Sequence, residues 1–416
     1  MSDNALSTEP RRCRVLAVTS ELPWPLNSGG HIRTFHLMKA IAAATDLRVV
    51  CPVVGDQSAV IEALAAAGIA VVPVPVGPRT ILGEARKFLG AVVRREPYVM
   101  YRRHAWPAVR AAWLNENRMR PADVWYCDHL DSYLYANSGR ARPPVVLDLH
   151  NVYSLLARRT ADEQTHPVKR AFLRRQAVLL DRLERSAAKT AAALFAVSSR
   201  EADHFRSLGG QHVHTVPNGV DCIGLADLPT GRAAQPPTVL FLGTMSWGPN
   251  AAAAKFLIEI FPQVRERLSD ARLIIVGRDP PHELRALGNA PGVVVAGGVP
   301  EVKPYLAEAS ILAVPLDAGG GTRLKILEAF AAGLPVVSTA VGAEGIEARE
   351  GEHFVQAERS QFANAMVRLL VEPDRGARMA VAARVLAREV YDWSRIGSLA
   401  VDVIFKLGRP HRGQLQ

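Results

Sequence analysis

Residues Val314 to Ile346 read VPLDAGGGTRLKILEAFAAGLPVVSTAVGAEGI. An apolar strand, Ile311 to Pro315, runs into Gly319, Gly320 and Gly321, then Thr322, Arg323 and Lys325, and then a helix carrying Glu328. Glycines let backbone N–H groups approach an anion closely, and a helix N-terminus adds partial positive charge. Arg323 and Lys325 add two full charges of the kind a diphosphate requires. Glu328 cannot favour phosphate, so a carboxylate one turn further on suggests hydroxyls, as on a ribose. The combination reads as a nucleotide-diphosphate cradle. The plainer alternative is a tight strand-to-helix turn with solvated cations.

Strand-like and helical runs alternate along the rest of the chain, the pattern of parallel sheets covered on both faces. The expected strands of the first half are Arg14–Thr19, Leu47–Val53, Ala70–Val74, Val124–Cys127, Val145–Leu149, Leu194–Val197 and a short Val213–Val216. A Pro/Gly/Ala-rich stretch follows at 224–237 and reads as a linker. The pattern restarts at Val239–Gly243 and continues through Leu273–Gly277, Val293–Ala296, Ile311–Pro315, Val336–Ser338 and His353–Val355. The 416 residues exceed what one core usually holds. The expectation is therefore a domain over 1–223, the linker 224–237, and a second domain over 238–390.

Composition narrows the class. With 49% hydrophobic and 22% charged residues the chain is ordinary for a globular protein. No apolar run approaches the roughly 18 residues of a membrane helix. The start, MSDNALSTEPRRCR, has no apolar signal core, so the expected location is cytoplasmic. Cys13, Cys51, Cys127 and Cys222 lack metal or redox spacing. Charge is uneven: residues 1–200 hold 28 Lys+Arg against 17 Asp+Glu, and residues 201–416 hold 22 against 23. The excess gathers in Arg79 to Arg103 and Arg158 to Lys189. Such a basic half suits peripheral contact with an anionic membrane, a polyanionic acceptor or a lipid-phosphate acceptor. Solvated arginines on helix faces are the alternative. No nucleic-acid-binding pattern is present, so a nucleic-acid partner is not expected.

The segment from Gly319 to Thr339 resembles the donor-binding segment of retaining glycosyltransferases of the GT-B architecture, especially glycosyltransferase family 4. The resemblance implies an α/β fold of two Rossmann-like domains facing each other across a cleft. It also implies a last helix, marked by Tyr391-Asp392-Trp393, that crosses back (391–416) onto the first, acceptor-side domain. In that family the equivalents of Lys325 and Glu328 hold the diphosphate and ribose of a nucleotide-sugar. Further segments carry the likeness. Ser20 to Arg33 resembles the family's first loop, whose Gly-Gly pair, here Gly29 and Gly30, lies under donor phosphates and sugar. Arg33 would order that loop or meet a phosphate. Asp148-Leu-His150-Asn151 ends a strand where many members place a histidine that reaches the sugar or acceptor, which makes His150 the first-domain catalytic candidate. Asp128 and His129 are weaker candidates of the same kind, and Asp131 reads as a helix cap. Ala196 to Glu201 and His214 to Asp221 resemble the domain-joining segment.

The second domain opens with Phe241-Leu-Gly-Thr-Met-Ser-Trp-Gly-Pro-Asn250. Gly243, Thr244 and Met245 are expected to line the diphosphate, and Asn250 to cap the next helix. By the same likeness, Gly277-Arg278 and Gly297-Gly298-Val299 border the base. Many members add an Arg and a Lys-Gly pair here, which this chain lacks, so Arg323 and Lys325 must carry that charge. The family also pairs two glutamates separated by seven residues. Glu328 is the second, and Gly320 stands in place of the first, which leaves the sugar contacts open; Asp317 is a conceivable substitute.

These observations lead to one expectation. The chain is a glycosyltransferase that moves a sugar from a nucleotide-diphosphate-sugar to a hydroxyl acceptor, a glycan, glycolipid or small molecule, in cell-surface polysaccharide or other glycoconjugate synthesis. Arg323 and Lys325 neutralise the leaving diphosphate, backbone N–H groups of Gly319, Gly320 and Gly321 assist, Thr322 belongs to the same donor-binding segment, and domain closure brings in Gly29, Gly30 and His150. No Asp-x-Asp metal clamp is present, so neither a metal nor a further cofactor is expected. Retention of configuration comes from the resemblance alone. The alternatives are an epimerase or phosphorylase on the same architecture, or a non-catalytic partner subunit, as the absent glutamate suggests. A dehydrogenase is disfavoured, since neither glycine-rich loop reads Gly-x-Gly-x-x-Gly with a suitably placed acid.

Overall fold

The computed structural model describes residues 11–136, 142–231, 235–318 and 323–408. The chain forms two compact units. One contains the residues up to Val216 together with those from Gly397 onward, and the other is Pro217–Ile396.

The first unit is built on a seven-stranded, wholly parallel sheet: β1 Arg14–Val18, β2 Asp46–Val53, β3 Ala70–Pro75, β4 Val124–Asp128, β5 Val145–Leu149, β6 Ala193–Ala196 and β7 Val213–Thr215. Its strand order is β3-β2-β1-β4-β5-β6-β7. Every residue of β4, β5 and β6 is buried, as befits apolar strands covered on both faces by crossover helices. Leu147, Cys127 and Trp113 are among the residues of this core.

The second unit repeats the scheme with six parallel strands: β8 Thr238–Leu242, β9 Arg272–Val276, β10 Val293–Gly297, β11 Ile311–Val314, β12 Val336–Ser338 and β13 Val355–Gln356. The order is β10-β9-β8-β11-β12-β13. Each strand expected from the sequence is found within two residues of its place at either end. The fold class expected from the sequence, α/β with two parallel-sheet domains, is the one observed.

Both sheets reverse their winding direction once, between β1 and β4 in the first unit and between β8 and β11 in the second. Open α/β sheets bind ligands beyond the carboxyl ends of the strands at such a switch point. The residues that follow these four strands are therefore the candidate ligand-binding positions.

Two segments far apart in sequence are stitched together in the second unit. Val220 N–H donates to Tyr391 O at 2.8 Å, and Trp393 N–H donates back to Val220 O at 3.3 Å. The Trp393 ring lies so close to Gly219 that a Cβ there would come within 2.7 Å of it. Gly219 is thus fixed by the tryptophan it supports. The helix Leu324–Ala331 ends on Gly333, whose φ of +66° is left-handed and suits glycine. Leu334 N–H then closes back on Ala329 O at 2.8 Å. The motif Glu328 to Pro335 is therefore a helix and its stop. No helix among the described residues is long and apolar enough to cross a membrane.

Candidate functional site

In the second unit, β8 ends at Leu242 and the chain turns through Gly243 and Thr244 into the helix Gly248–Arg265. The sequence expectation that Asn250 caps this helix is not met: the cap is Trp247, and Asn250 lies inside the first turn with its side chain buried. That side chain folds back over Gly243, where a Cβ would meet its amide carbon at 2.6 Å. It is held at both ends. Asn250 Nδ2 donates to Thr244 O at 2.9 Å, and Lys325 Nζ donates to Asn250 Oδ1 at 2.8 Å. Lys325 also lies 4.4 Å from the Phe241 ring centroid. Arg323, at the N-cap of the helix Leu324–Ala331, is buried, with its guanidinium 5.9 Å from the Trp247 ring.

Burial dominates the electrostatics here. It pulls the Lys325 ammonium down to about 7, and the neighbouring Arg323 pushes the same way while Glu328 resists. Burial likewise raises the Glu328 carboxyl to about 7 against the attraction of Lys325. Arg323 keeps its charge. An anion bound beside Lys325 would favour its charged form and raise its pKa again.

Of the other expected donor residues, Met245 turns its side chain into the core and its N–H donates to Arg278 O at 2.8 Å. Gly277 is packed so tightly that a Cβ would fall 1.6 Å from Gly243 O, and its own N–H is taken by Gly297 O. Gly319, Gly320, Gly321 and Thr322 lie outside the described residues. Asp317, the conceivable substitute, pairs with Arg359.

The first-unit group sits at the ends of β1, β4 and β5. Ser28 caps the helix Gly29–Ala44 by accepting from His31 N–H at 3.2 Å, which puts Gly29 and Gly30 in the first turn. Arg33, one turn on, does not reach for a phosphate. It is buried in a pair with Asp148, with Nη2 to Oδ1 at 2.6 Å, and donates a further hydrogen bond to Val216 O at 2.8 Å. Burial would raise the Asp148 carboxyl, but Arg33 and His150 hold it down at about 2. Tyr126 Oη donates to the same carboxylate at 3.0 Å.

Asp128 organises the other side. It accepts from Thr19 and Thr34 at 2.9 and 3.0 Å, from His129 Nδ1 at 3.0 Å and from His150 Nε2 at 3.1 Å. His150 Nε2 also lies 3.3 Å from Asp148 Oδ2. The two imidazole rings are tilted by 37° to one another with centroids 3.5 Å apart. Burial lowers the His129 pKa, yet Asp128 outweighs it and the group is held at about 9. Asp131, read as a cap, is instead buried inside the helix His129–Ala136 and pairs with His104 at 3.2 Å.

Asp128, His129 and His150 are the group among the described residues able to offer three metal-ligand atoms within 4.8 Å of one another. Both carboxylate oxygens of Asp128 already accept hydrogen bonds from imidazoles, so the arrangement is self-satisfied. The four cysteines are free. Sequence reasoning underrated Asp128 and passed over Asp148. It also mistook Asn250, whose signal, an asparagine just inside a helix start, also fits capping.

A family model described as Glycosyltransferase Family 4 matches residues 58–222, and one described as Glycosyl transferases group 1 matches residues 236–372. A phosphatidyl-myo-inositol mannosyltransferase of Mycobacterium leprae is 33% identical over 209 residues, 46% of this chain and 53% of that protein. A GDP-mannose-dependent alpha-(1-6)-phosphatidylinositol monomannoside mannosyltransferase of Mycobacterium tuberculosis is 29% identical over 234 residues, 50% of this chain and 60% of that protein. The chain thus spans about half the length of the curated relatives it matches. Among solved structures, Anabaena HepE in complex with UDP and glucose superposes with a TM-score of 0.62 at 17% identity, covering 94% of this chain and 99% of that one. Sucrose-phosphate synthase of Thermosynechococcus elongatus gives 0.68 at 15% identity, covering 95% and 99%. Those likenesses establish a shared fold. The chain thus carries a Glycosyltransferase Family 4 match in its first half and a Glycosyl transferases group 1 match in its second, on a two-domain fold shared with solved glycosyltransferases.

Proposed function

We propose that the protein transfers a sugar from a nucleotide-diphosphate-sugar to a hydroxyl acceptor, with retention of configuration, in glycolipid, cell-surface polysaccharide or other glycoconjugate synthesis. The observation that supports this reading is the group at the carboxyl ends of β8 and β11, where buried Arg323 and the Asn250-held Lys325 bring two cationic side chains together. In the proposed step the bond from the anomeric carbon to the diphosphate oxygen breaks and a bond to the acceptor oxygen forms. The acceptor proton passes to the departing phosphate oxygen. Arg323 and Lys325 stabilise the charge that develops on the leaving group, so no metal ion or further cofactor is needed. Glu328 takes the ribose hydroxyls, Gly243, Thr244 and the Gly319–Thr322 segment line the diphosphate, and Gly29, Gly30 and His150 attend the sugar.

The acceptor is proposed to be membrane-held. The relatives' names describe phosphatidylinositol mannosyltransferases, and the first unit carries a suitable face. In the helix Ile81–Arg94, Leu82, Leu89 and Val93 lie on one side and are 73%, 63% and 75% exposed. Arg79, Arg86, Arg94 and Arg95 surround them, exposed to solvent. Apolar side chains ringed by arginine suit the interface of an anionic bilayer. The proposed setting is cytoplasmic, docked peripherally on such a surface.

The test is a panel of UDP-, GDP-, ADP- and TDP-sugars assayed for release of nucleoside diphosphate on addition of lipid or sugar hydroxyl acceptors. Acceptor-dependent release supports the reading, and NMR of the product's anomeric centre decides retention. Conversion of the donor without acceptor supports an epimerase instead, and a chain that binds no nucleoside diphosphate supports a non-catalytic subunit.

A further inference from the structure

The helix Pro167–Thr190 turns one face to the core of the first unit, where Leu180, Ala187 and Ala188 are buried. Glu184 falls between Leu180 and Ala187 on that same face and is fully buried. The position calls for an apolar side chain. A carboxyl there is costly, since burial raises it to about 7 against the hydrogen bonds it receives from Ser154 and Tyr153. A group buried at such a cost points to a partner that an apolar residue could not serve.

That partner is the start of another helix. The helix Tyr153–Glu163 follows Val152, which offers no side-chain cap, and Val152, Tyr153 and Ser154 are all buried. The first N–H groups of a helix lack intrahelical acceptors, and burial keeps these from water. Glu184 supplies what the local sequence omits. Ser154 N–H donates to its Oε1 at 3.2 Å, and the Tyr153 N–H also stabilises the carboxylate. Negative charge at a helix N-terminus gains further from the helix dipole.

Only His150, Asn151 and Val152 separate β5 from that helix. Pairing of β5 with β4 and β6 fixes one end of this connection, and the Glu184 cap fixes the other. With both ends held, few backbone dihedrals are left free. The direction of His150 toward Asp128 is therefore set in part by a carboxylate on a different helix.

We propose that Glu184 is a positioning residue for sugar transfer: it caps the helix Tyr153–Glu163 from a neighbouring helix and so holds the turn that carries His150. This rests on the glycosyltransferase reading and adds to it a residue that acts through the backbone and not on the substrate. Gln176 provides an internal control. It lies earlier on the same helix, is also buried, and accepts from the N–H groups of Tyr98 and Val99 at 2.8 and 3.2 Å. The bond is of the same kind, but the segment it holds is a different one.

The experiment compares the full chain with Glu184→Met, Glu184→Gln and Gln176→Met. Methionine keeps the length of either side chain, suits a core position and removes the acceptor, whereas glutamine keeps an oxygen for both N–H groups. Hydrogen exchange read by mass spectrometry follows the peptides covering residues 150–158. Steady-state kinetics follows turnover of UDP-, GDP-, ADP- and TDP-sugars. Glu184→Met should speed exchange in that segment about tenfold, the effect of losing a helix cap. Its kcat should fall by a similar factor, about tenfold, because His150 is correctly placed for less of the time. Donor KM and the affinity for UDP or GDP should stay at wild-type values. Glu184→Gln should recover both exchange and turnover. Gln176→Met should speed exchange around Tyr98 and Val99 and keep wild-type turnover.

Unchanged exchange over 150–158 in Glu184→Met overturns the cap. Faster exchange there with wild-type kcat overturns the positioning role. A Glu184→Gln variant as impaired as Glu184→Met, or an equal loss of turnover in Gln176→Met, overturns it too, the latter by showing a general loosening of the helix. A wild-type chain that consumes none of the donors overturns the glycosyltransferase reading and the positioning role with it, while the exchange data still decide the cap.

Discussion

Lys325 Nζ and Asn250 Oδ1 are 2.8 Å apart although 75 residues separate them in sequence. The same asparagine donates to Thr244 O at 2.9 Å, so one amide fixes both the lysine and the turn after β8. An amide is suited to this because it presents an acceptor and a donor at once without adding charge beside Arg323. Asn250→Ala should release Lys325 and loosen Thr244. The expected cost is about tenfold in nucleoside diphosphate affinity, the value of a hydrogen bond to a charged group. Asn250→Asp should lose more, since a carboxylate would pair with Lys325 and repel phosphate. Calorimetry of both variants checks this, and wild-type affinity in Asn250→Asp would contradict it.

The desolvated lysine gives a pH dependence. Its pKa is depressed to about 7 by burial, with Arg323 adding to the shift. A diphosphate needs the ammonium, so above that pH binding must first restore a proton. Affinity for nucleoside diphosphate is expected to fall as pH rises from 7 to 9, by up to about tenfold per unit. Binding at pH 8 should take up protons, read as a buffer-dependent enthalpy in calorimetry. A flat affinity from pH 6 to 9 with no proton uptake would count against Lys325 as the diphosphate's partner.

Arg33 and Asp148 make a different prediction, because their pair supports the fold. Both are buried and 2.6 Å apart. Arg33→Ala leaves Asp148 charged and buried, so a loss of about 3–5 kcal/mol of stability is expected. Urea unfolding of the first unit's transition measures it. Unchanged stability with weakened phosphate binding would restore the reading of Arg33 as a ligand contact.

The exposed face of the helix Ile81–Arg94 is checked with vesicles. Leu89→Glu combined with Val93→Glu should abolish co-sedimentation with anionic phospholipid vesicles and leave the melting temperature unchanged, because both side chains stand in solvent. Undiminished binding by that variant would remove this helix from the membrane account.

The two-sheet fold was legible because its strands are short apolar runs with helices between them, a pattern that needs no tertiary knowledge. Lys325 and Glu328 stand out in the sequence because they follow three glycines between an apolar run and a helix. What escaped were contacts between distant strand ends. Nothing near Arg33 announces Asp148, 115 residues on, so its guanidinium read as a loop or phosphate contact. Nothing near Asn250 announces Lys325, so a local rule for asparagine at a helix start took its place. The same holds for His129, whose partners Asp128 and His150 become one group only once β4 and β5 pair through Asp128 and Asp148.

The most direct measurement compares Lys325→Ala with wild type in binding a nucleoside diphosphate and the matching bare nucleoside, UDP with uridine and GDP with guanosine. A charge-assisted contact to phosphate is worth about 1.5–3 kcal/mol. The variant should therefore lose roughly ten- to a hundredfold in diphosphate affinity while its nucleoside affinity stays at the wild-type value. An equal loss for both ligands, or none for either, would contradict a diphosphate site at Lys325.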